Sequence, residues 1–549
     1  MAFSGTPHPD TSRASIVQVG SHLAVKGFIN PSTNIANYLG IKFASVPARF
    51  RQSKPVPLES FTGELDATDY GPRCPQPADK PKALRQHLYN LNRDSASVPE
   101  DEHECLVLNV YTPPNAEELV EQRGKPLPVF VWIHGGGWTI GDGGPDYDGN
   151  WQVAESIELG KPFIFVAINY RLGYYGFLTS KELKAEADQN GETWFANPGV
   201  YDQRLGLEWV QKYIRLFGGN PDEVTISGES AGAWSVMAHI VSDVPVCQRG
   251  LILSMPLLEF RTADVSQDAF DGLVQRTGLS ASATPEAKLA AVRTLSNNDM
   301  MAALGGKFAT PNWDPAFFPD LAPGTPLDSI KSLSSWVKSV IIGSTKHEGV
   351  LFGIPYRQWA AKDIHVLLDR ILPEPTLRSD VLSAYGFDPN APLDDTLTRI
   401  YKLLTDSMFD PAPSLIGELS SDAQPVAVYR FDQTDTFPDH LYHNTSYHSL
   451  DNTFICRLPT VASSVAPPEM QKTADRMSEA VATFVYGSLP WEPFHKGKPM
   501  YVFDGSKSGL YSDPPFGEEH AWEKFRHSEQ RWAFFKALGS TLIRSGKPQ

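Results

Sequence analysis

The 549-residue sequence predicts an α/β protein with a large, mostly parallel central sheet flanked by helices. Two short apolar runs, Val129–Ile133 and Phe163–Ile168, are continuous rather than alternating, which is typical of strands buried on both faces of a sheet. Elsewhere apolar residues recur every third or fourth position, the pattern of helices that pack on such a sheet. The alternation of the two patterns favours parallel strands joined by crossover helices.

The composition excludes several classes of protein. Apolar residues make up 41% and charged residues 20%, which is typical of a folded globular chain. The apolar runs are shorter than the ~18 residues of a membrane span, so we expect a soluble protein. The formal net charge of −16 disfavours a nucleic-acid partner, because an acidic surface repels phosphates. Met1–Asp10 carries no secretory signal, so we expect a cytoplasmic protein, or a secreted one if a leader has been removed.

The elements follow one another in a regular order along the chain. A helix ends at Phe217-Gly-Gly, because two glycines and a proline cannot continue it. Four short apolar runs beyond it each have the length of a strand, and the first is followed at once by a helical pattern. The elements predicted after Gly219 are the strand Val224–Ser227, the helix Ala231–Val241 and the strands Leu251–Leu253, Ser339–Ile342 and Val426–Phe431.

A possible nucleophile lies between a predicted strand and a predicted helix. Gly228, Ser230 and Gly232 form the pattern Gly-x-Ser-x-Gly, in which small neighbours allow a sharp turn that exposes the serine hydroxyl. Chance alone supplies roughly 0.2 such matches in a chain of this length, and a simple small-residue turn is the alternative. The strand before the motif and the helix after it favour Ser230 as the nucleophile.

A second glycine-rich motif, His134–Trp138, follows the strand Val129–Ile133 directly. Successive glycines let backbone N–H groups approach a substrate oxygen without a Cβ in the way, although a flexible turn has the same composition. The Gly141–Gly144 segment lacks the Gly-Lys-Ser/Thr ending of a phosphate loop. The four cysteines form no Cys-x-x-Cys pair, and we expect no metal and no cofactor.

Taken in order, these motifs resemble the type-B carboxylesterases, the esterase, lipase and cholinesterase branch of the α/β-hydrolase fold. The resemblance implies one catalytic domain over 1–549, with helical insertions at about 265–335 and 355–420 that form a lid over the active-site gorge. The segments that carry the resemblance are Tyr38–Ala44, Glu104–Tyr111, Val131–Trp138, Asn169–Phe177, Asn197–Gln203, Phe217–Pro221 and Gly228–Gly232.

The resemblance also assigns partners to Ser230. The acid of the triad is Glu348, in a glycine-containing loop after a strand, and the base is His448, in a His-x-x-acid pattern. His440 and His443 remain rivals for the base. An unperturbed histidine in that role would lose activity on acidification near pH ~6–7. The oxyanion hole of the family corresponds here to the residues Gly136, Gly137 and Ala231.

The cysteines have separate expectations. The resemblance implies a disulfide between Cys74 and Cys105, whereas Cys247 and Cys456 match no family pair and are expected to be reduced and buried. Tyr89 is the only aromatic residue between Cys74 and Cys105, and without a tryptophan there a choline ester is disfavoured as substrate.

We therefore expect a serine hydrolase that acts on a moderately large apolar carboxylic ester through an acyl-enzyme intermediate. An acyltransferase, or a lactone-forming or lactone-opening enzyme with the same triad, is the alternative. A non-catalytic adhesion homologue is disfavoured because such proteins lose the nucleophile that Ser230 supplies. The expected partner is a small-molecule ester, and the oligomeric state stays open.

Overall fold

A computed structural model describes residues 11–77, 98–322, 327–438 and 440–546. Its main feature is one sheet of 13 strands, with a separate two-stranded pair beside it. The strands are β1 (Ala14–Val19), β2 (Leu23–Ile29), β3 (Ala36–Lys42), β4 (Ala44–Ser45), β5 (Lys54–Pro55), β6 (Gly63–Asp66), β7 (Val107–Thr112), β8 (Leu127–Ile133), β9 (Ile164–Ile168), β10 (Gly219–Glu229), β11 (Arg249–Leu253), β12 (Ser339–Thr345), β13 (Val426–Phe431), β14 (Pro499–Phe503) and β15 (Gly509–Ser512).

The sheet is parallel in its centre and antiparallel towards its edges. The order is β1-β2-β3-β7-β9-β8-β10-β11-β12-β13-β14-β15, with β6 paired to β2. Every pairing from β9 to β14 is parallel, whereas β1, β2, β3 and β7 pair antiparallel and β15 closes the other edge antiparallel. All residues of β8 and β9 are buried, which explains their continuous apolar sequence. The predicted fold class is confirmed.

Helices cover both faces of the sheet and fill the long connections. They are α1 (Ala116–Arg123), α2 (Asn150–Glu158), α3 (Gly173–Phe177), α4 (Lys181–Gln189), α5 (Pro198–Tyr213), α6 (Ala231–Val241), α7 (Ala263–Arg276), α8 (Pro285–Val292), α9 (Asn297–Leu304), α10 (Gly349–Gly353), α11 (Ala361–Ile371), α12 (Pro375–Ala384), α13 (Leu393–Met408), α14 (Pro411–Gly417), α15 (Leu450–Ile455), α16 (Pro459–Ala462), α17 (Pro468–Val485), α18 (Glu523–Arg526) and α19 (Glu529–Ser545).

The helical segments after β11 and β12 occupy two long connections of the sheet. The first contains α7 to α9 and the second contains α10 to α14. Both carry residues that reach the cavity described below. Their role as a lid stays a prediction. No helix in the described part of the chain has the length and apolar character needed to cross a membrane.

The cysteines correct one expectation. The structure does not show the predicted disulfide between Cys74 and Cys105, because both residues are free cysteines in it. Cys74 Sγ accepts from the Leu172 N–H at 3.2 Å, and Cys105 Sγ donates to the Glu102 carbonyl at 3.7 Å. A hydrogen bond to Cys74 and burial raise the pKa of Cys105 well above its ordinary value.

The remaining cysteine expectations have different outcomes. Cys247 and Cys456 are free and buried, as predicted. Tyr89, on which the argument about choline esters depends, lies outside the described residues, as does Met1–Asp10.

The topology brings the predicted site residues to one edge of the sheet. The glycine-rich motif follows β8, Ser230 follows β10, Glu348 follows β12 and His448 comes after β13. Because these four strands are parallel, their carboxyl ends open on the same side of the molecule.

Candidate active site

Ser230 lies at a strained turn between β10 and α6. Its backbone has φ 56° and ψ −118°, outside the regions that non-glycine residues usually occupy. The flanking glycines are required by close packing. A Cβ on Gly228 would lie 2.5 Å from the carbonyl carbon of Gly232, and one on Gly232 would lie 2.0 Å from the Ile133 carbonyl oxygen. The turn therefore needs the small residues that the motif supplies, and it directs Ser230 to the start of a helix.

Three backbone N–H groups near Ser230 have no acceptor within the described part of the chain. They belong to Gly136, Gly137 and Ala231, the residues predicted to form the oxyanion hole. Gly136 and Gly137 have φ of +103° and +61°, which turns the chain back on itself after β8. Ala231 is the first residue of α6, where backbone N–H groups are left unpaired by the helix. Donors of this kind can stabilise a negatively charged oxygen.

His134, which begins the glycine motif, is a structural residue. Its ring is buried and stacks on Tyr170 with ring centroids 4.4 Å apart. The Tyr170 hydroxyl donates to the His134 carbonyl at 2.9 Å, and burial lowers the pKa of His134 to about 4. The ring does not line the cavity described below, and its Nδ1 lies 2.9 Å from the Gly135 carbonyl oxygen, so it supports the loop.

The structure brings Glu348 and His448 together across two loops. Glu348 is fully buried, and its Oε1 accepts from the Thr345 N–H at 2.7 Å. Its Oε2 contacts Nδ1 of His448 in a short hydrogen bond. The carboxylate thus binds only Nδ1 of the imidazole, and the second nitrogen, Nε2, has no contact with Glu348. This is the arrangement predicted for an acid and a base.

The second nitrogen of His448 lies beside a carboxylate that the sequence analysis did not single out. Nε2 is 3.0 Å from Oε1 of Glu229, the residue immediately before Ser230. Among the described residues no hydrogen bond joins Nε2 to Ser230 Oγ. Such bonds are often long in substrate-free enzymes and shorten when substrate binds. Ser449 Oγ donates to Glu229 Oε1 at 2.6 Å, and Asn452 Nδ2 donates to its Oε2 at 3.2 Å.

The charges around His448 change its titration. Although burial opposes the charged form, the negative charges of Glu229 and Glu348 raise the pKa of His448 to about 9. Burial and the same two carboxylates raise the pKa of Asp451 to about 8, and burial raises that of Glu229. The expectation of an ordinary histidine pKa therefore needs correction, because two carboxylates flank the ring.

The two rival histidines lie in other surroundings. His440 is buried and pairs through Nδ1 with the buried carboxylate of Asp435. Its ring lies edge-on to Tyr442, with centroids 5.3 Å apart. The His443 N–H donates to the His440 carbonyl at 3.0 Å. Neither ring lines the cavity that contains Ser230, whereas His448 does.

A cavity of about 400 Å³ joins these groups, a volume suited to a small organic molecule. One wall is apolar and comes mainly from the two helical segments. The rings of Phe352 and Phe409 are stacked, with centroids 5.4 Å apart. The Phe409 ring also packs on the imidazole of His448, and the centroids of these two rings are 4.7 Å apart. The lining also includes the carboxyl residues Asp142 and Asp146. The apolar lining includes Pro77, Trp138, Ile140, Pro256, Leu258, Phe308, Leu351, Phe352, Met408 and Phe409.

Sequence reasoning missed Glu229, which lies beside Nε2 of His448, and the two residues that donate hydrogen bonds to its carboxylate. Glu229 occupies a variable position of the serine motif, and Ser449 and Asn452 follow His448 in the chain. Their only sequence feature is nearness to the predicted nucleophile and base. Among residues 11–77, 98–322, 327–438 and 440–546, no group of three or more His, Cys, Asp or Glu side chains could hold a metal ion.

Comparison with known proteins gives a consistent result over nearly the whole chain. The model of the carboxylesterase family matches residues 15–533. Para-nitrobenzyl esterase of Bacillus subtilis (strain 168) is 28% identical over 519 residues, which cover 89% of this chain and 95% of that protein. Lipase 1 of Geotrichum candidum is 36% identical over 301 residues, which cover 49% of this chain and 50% of the lipase.

Solved structures agree in fold. A structure titled PNB esterase superposes with a TM-score of 0.68 at 24% identity, covering 94% of this chain and 99% of the other. A second structure of that title gives a TM-score of 0.67 over 91% of this chain. The mixed sheet and its helices are thus shared with these proteins.

Proposed function

Since the chain belongs to the carboxylesterase family, we propose that it hydrolyses carboxylic esters with Ser230 as nucleophile, His448 as base and Glu348 as the acid behind it. The observation that carries the proposal is the cavity lined by Ser230, His448, Gly136 and Gly137, with the unpaired N–H group of Ala231 directly after Ser230 in the chain. The relatives named above are esterases and a lipase, so the acyltransferase and adhesion alternatives receive no support from them.

The reaction follows from the placement of these groups. Ser230 Oγ attacks the ester carbonyl carbon while its proton passes to Nε2 of His448. The N–H groups of Gly136, Gly137 and Ala231 hold the carbonyl oxygen as it becomes negative. The tetrahedral intermediate then collapses, and His448 returns the proton to the leaving alkoxide. Water repeats the sequence on the acyl-enzyme and releases the acid.

Glu348 acts on the base through Nδ1. Its contact fixes the tautomer in which Nε2 is free to accept a proton, and its charge stabilises the imidazolium that forms. Proton transfer needs the neutral imidazole with Nε2 facing Ser230 Oγ, whereas Nε2 lies beside Glu229 in the substrate-free structure. The proposal therefore includes a small turn of the ring when substrate binds.

The cavity supports a moderately large apolar ester as substrate. Its volume exceeds that of a short acetyl ester, and its apolar wall would bury a hydrocarbon or aromatic group. No cofactor enters the proposed reaction, because serine, imidazole and backbone donors supply every step.

A fluorophosphonate probe tests the nucleophile directly. We expect the probe to label Ser230 alone, and Ser230→Ala to abolish labelling and lower ester turnover by about 10⁴- to 10⁶-fold. Ser227→Ala is the matched control, because that buried hydroxyl on β10 has no hydrogen-bond partner within the described part of the chain. Labelling at another serine, or normal turnover in folded Ser230→Ala, would refute the assignment.

Product analysis separates hydrolysis from acyl transfer. With an apolar ester and a competing short-chain alcohol, hydrolysis releases the free carboxylic acid as the main product. A new ester as the main product would instead identify an acyltransferase. A series of esters with increasing acyl length should give rising kcat/KM until the cavity is filled, and a preference for the acetyl ester would contradict the proposed substrate.

A further inference from the structure

The loop that carries His448 is long, so its position next to the sheet must be determined by contacts with other parts of the structure. Glu348 comes three residues after β12 ends at Thr345, whereas His448 follows β13 only after the intervening segment from Asp432. Thr345 and Phe431 are neighbours in the parallel pairing of these strands. Glu348 is therefore placed by a short connection, and the position of His448 depends on contacts made where its loop comes back.

Those contacts are concentrated on one residue, His347. The His347 N–H donates to the Ser446 carbonyl at 2.9 Å, and the Ser446 N–H donates to Nδ1 of the His347 ring at 3.0 Å. An isolated parallel bridge joins His347 to Tyr447 at the same place. Both backbone groups of Ser446, two residues before His448, are thus bound to the residue that directly precedes Glu348.

The same junction is tied to the end of β13. Ser446 is fully buried, and its hydroxyl donates to the Phe431 carbonyl at 2.5 Å. The Lys346 N–H donates to the same carbonyl at 2.9 Å. The loop before Glu348, the end of β13 and the loop before His448 therefore meet in one hydrogen-bonded junction.

We propose that His347 is a positioning residue, whose ring nitrogen Nδ1 and backbone N–H hold the His448 loop against the Glu348 loop and so set the contact between base and acid. The inference rests on the roles proposed for Glu348 and His448. His347 does not line the cavity, so it acts through His448 rather than on substrate.

The ring is suited to this task in its neutral form. Nδ1 can accept the Ser446 N–H only when it carries no proton. Burial lowers the pKa of His347 to about 4. The charged groups that act on the ring are Lys346, Arg430 and Lys402, which lower its pKa further, and Asp432, which raises it.

Two substitutions of nearly equal shape isolate the acceptor. His347→Asn keeps an acceptor atom bonded to Cγ, as Nδ1 is, whereas His347→Leu has the same branching without any acceptor. We expect His347→Leu to lower kcat by about 10- to 100-fold with little change in KM, because a displacement of about 1 Å in a catalytic group has this effect. His347→Asn should stay within a few-fold of the wild type.

The pH profile gives a readout that a purely structural role would not move. The contact with Glu348 raises the pKa of His448, so loosening it in His347→Leu should shift the acid limb of kcat/KM to lower pH. Thermal melts establish that each variant is folded at the assay temperature. Wild-type kcat and an unshifted acid limb in folded His347→Leu would overturn the proposal, as would equal loss in folded His347→Asn.

If the His347→Leu protein does not fold, a second pair of variants tests the same proposal. His347→Asn and His347→Gln are both polar, but the acceptor of glutamine lies one bond farther from the chain. The proposal requires the asparagine variant to be clearly more active, and equal activity would overturn it. Labelling of Ser230 by the fluorophosphonate probe in wild-type protein separates these results from a failure of the proposed function itself.

Discussion

His448 Nε2 lies 3.0 Å from Oε1 of Glu229, the residue next to Ser230. With Glu348 on Nδ1, the imidazole stands between two carboxylates in a buried site. Opposite charges so close favour the imidazolium, which cannot accept the proton of a serine. The negative charges of Glu229 and Glu348, which stabilise the imidazolium formed during the reaction, therefore also set the pH above which His448 is neutral and can accept the serine proton.

The first prediction concerns this pH. Because Glu229 and Glu348 raise the pKa of His448 to about 9, the neutral base is lost as pH falls through a value above the ordinary histidine range. Replacing Glu229 by glutamine removes one negative charge and should move the acid limb of kcat/KM down by about one pH unit or more. The shift is measured from the pH profile of kcat/KM on a small activated ester. Glu208→Gln on α5 is the control, and a midpoint that Glu229→Gln leaves unchanged would contradict the argument.

The second prediction concerns the proposed oxyanion hole. A Cβ on Gly137 would lie 2.2 Å from the Phe308 ring, and one on Gly136 would lie 2.1 Å from the Ile140 carbonyl oxygen. Gly137→Ala should lower kcat by roughly 10²- to 10³-fold, since the loop must move and its N–H group leaves the oxyanion.

The clash at Gly137 can be relieved separately. Phe308 is a flexible side chain, so Gly137→Ala combined with Phe308→Ala should recover part of the lost kcat, although the φ of +61° still strains an alanine at this position. Gly136→Ala meets backbone and has no such rescue. The measurements are kcat and a thermal melt of each protein. Near-normal kcat in Gly137→Ala alone would remove this glycine from the mechanism.

The third prediction separates the three histidines of the loop. His448→Ala should abolish measurable turnover with a modest change in melting temperature. His440→Ala should leave kcat within a few-fold but destabilise the fold by about 3–5 kcal/mol, because the buried Asp435 carboxyl loses its contact with the His440 ring. His443→Ala should be mild in both assays. Loss of turnover in folded His443→Ala or His440→Ala would mean that the base has been assigned to the wrong residue.

The fourth prediction concerns substrate size. Phe308 is 40% exposed at the cavity, and its ring is edge-on to Phe352 with centroids 6.3 Å apart. Phe308→Ala removes part of the apolar wall, so the ratio of kcat/KM for bulky over short acyl esters should rise by about 10-fold. Phe516→Ala, at a phenylalanine that is 49% exposed away from the cavity, is the matched control. An unchanged ratio would show that Phe308 does not limit the acyl group.

The sequence by itself determined the local parts of this protein. The helix Ala231–Val241 and the strand Val426–Phe431 occur with the predicted bounds, and the turn at Ser230 lies between its strand and helix. These features follow from neighbouring residues, since strand, small-residue turn and helix are continuous in the chain. Apart from Gly137, whose added Cβ would meet the distant Phe308 side chain, the glycines of both motifs are required by backbone contacts a few residues away or in the strand alongside.

Only the tertiary structure decided the electrostatics and the supports of the site. The carboxylate at Nε2 of His448 comes from Glu229, which is held by Ser449 from 220 residues away in the chain. The free thiols of Cys74 and Cys105 and the pairing of His347 with Ser446 likewise depend on where distant loops meet. Charge interactions and hydrogen bonds act over a few ångströms of space, and a sequence pattern specifies such distances only between residues that are close along the chain.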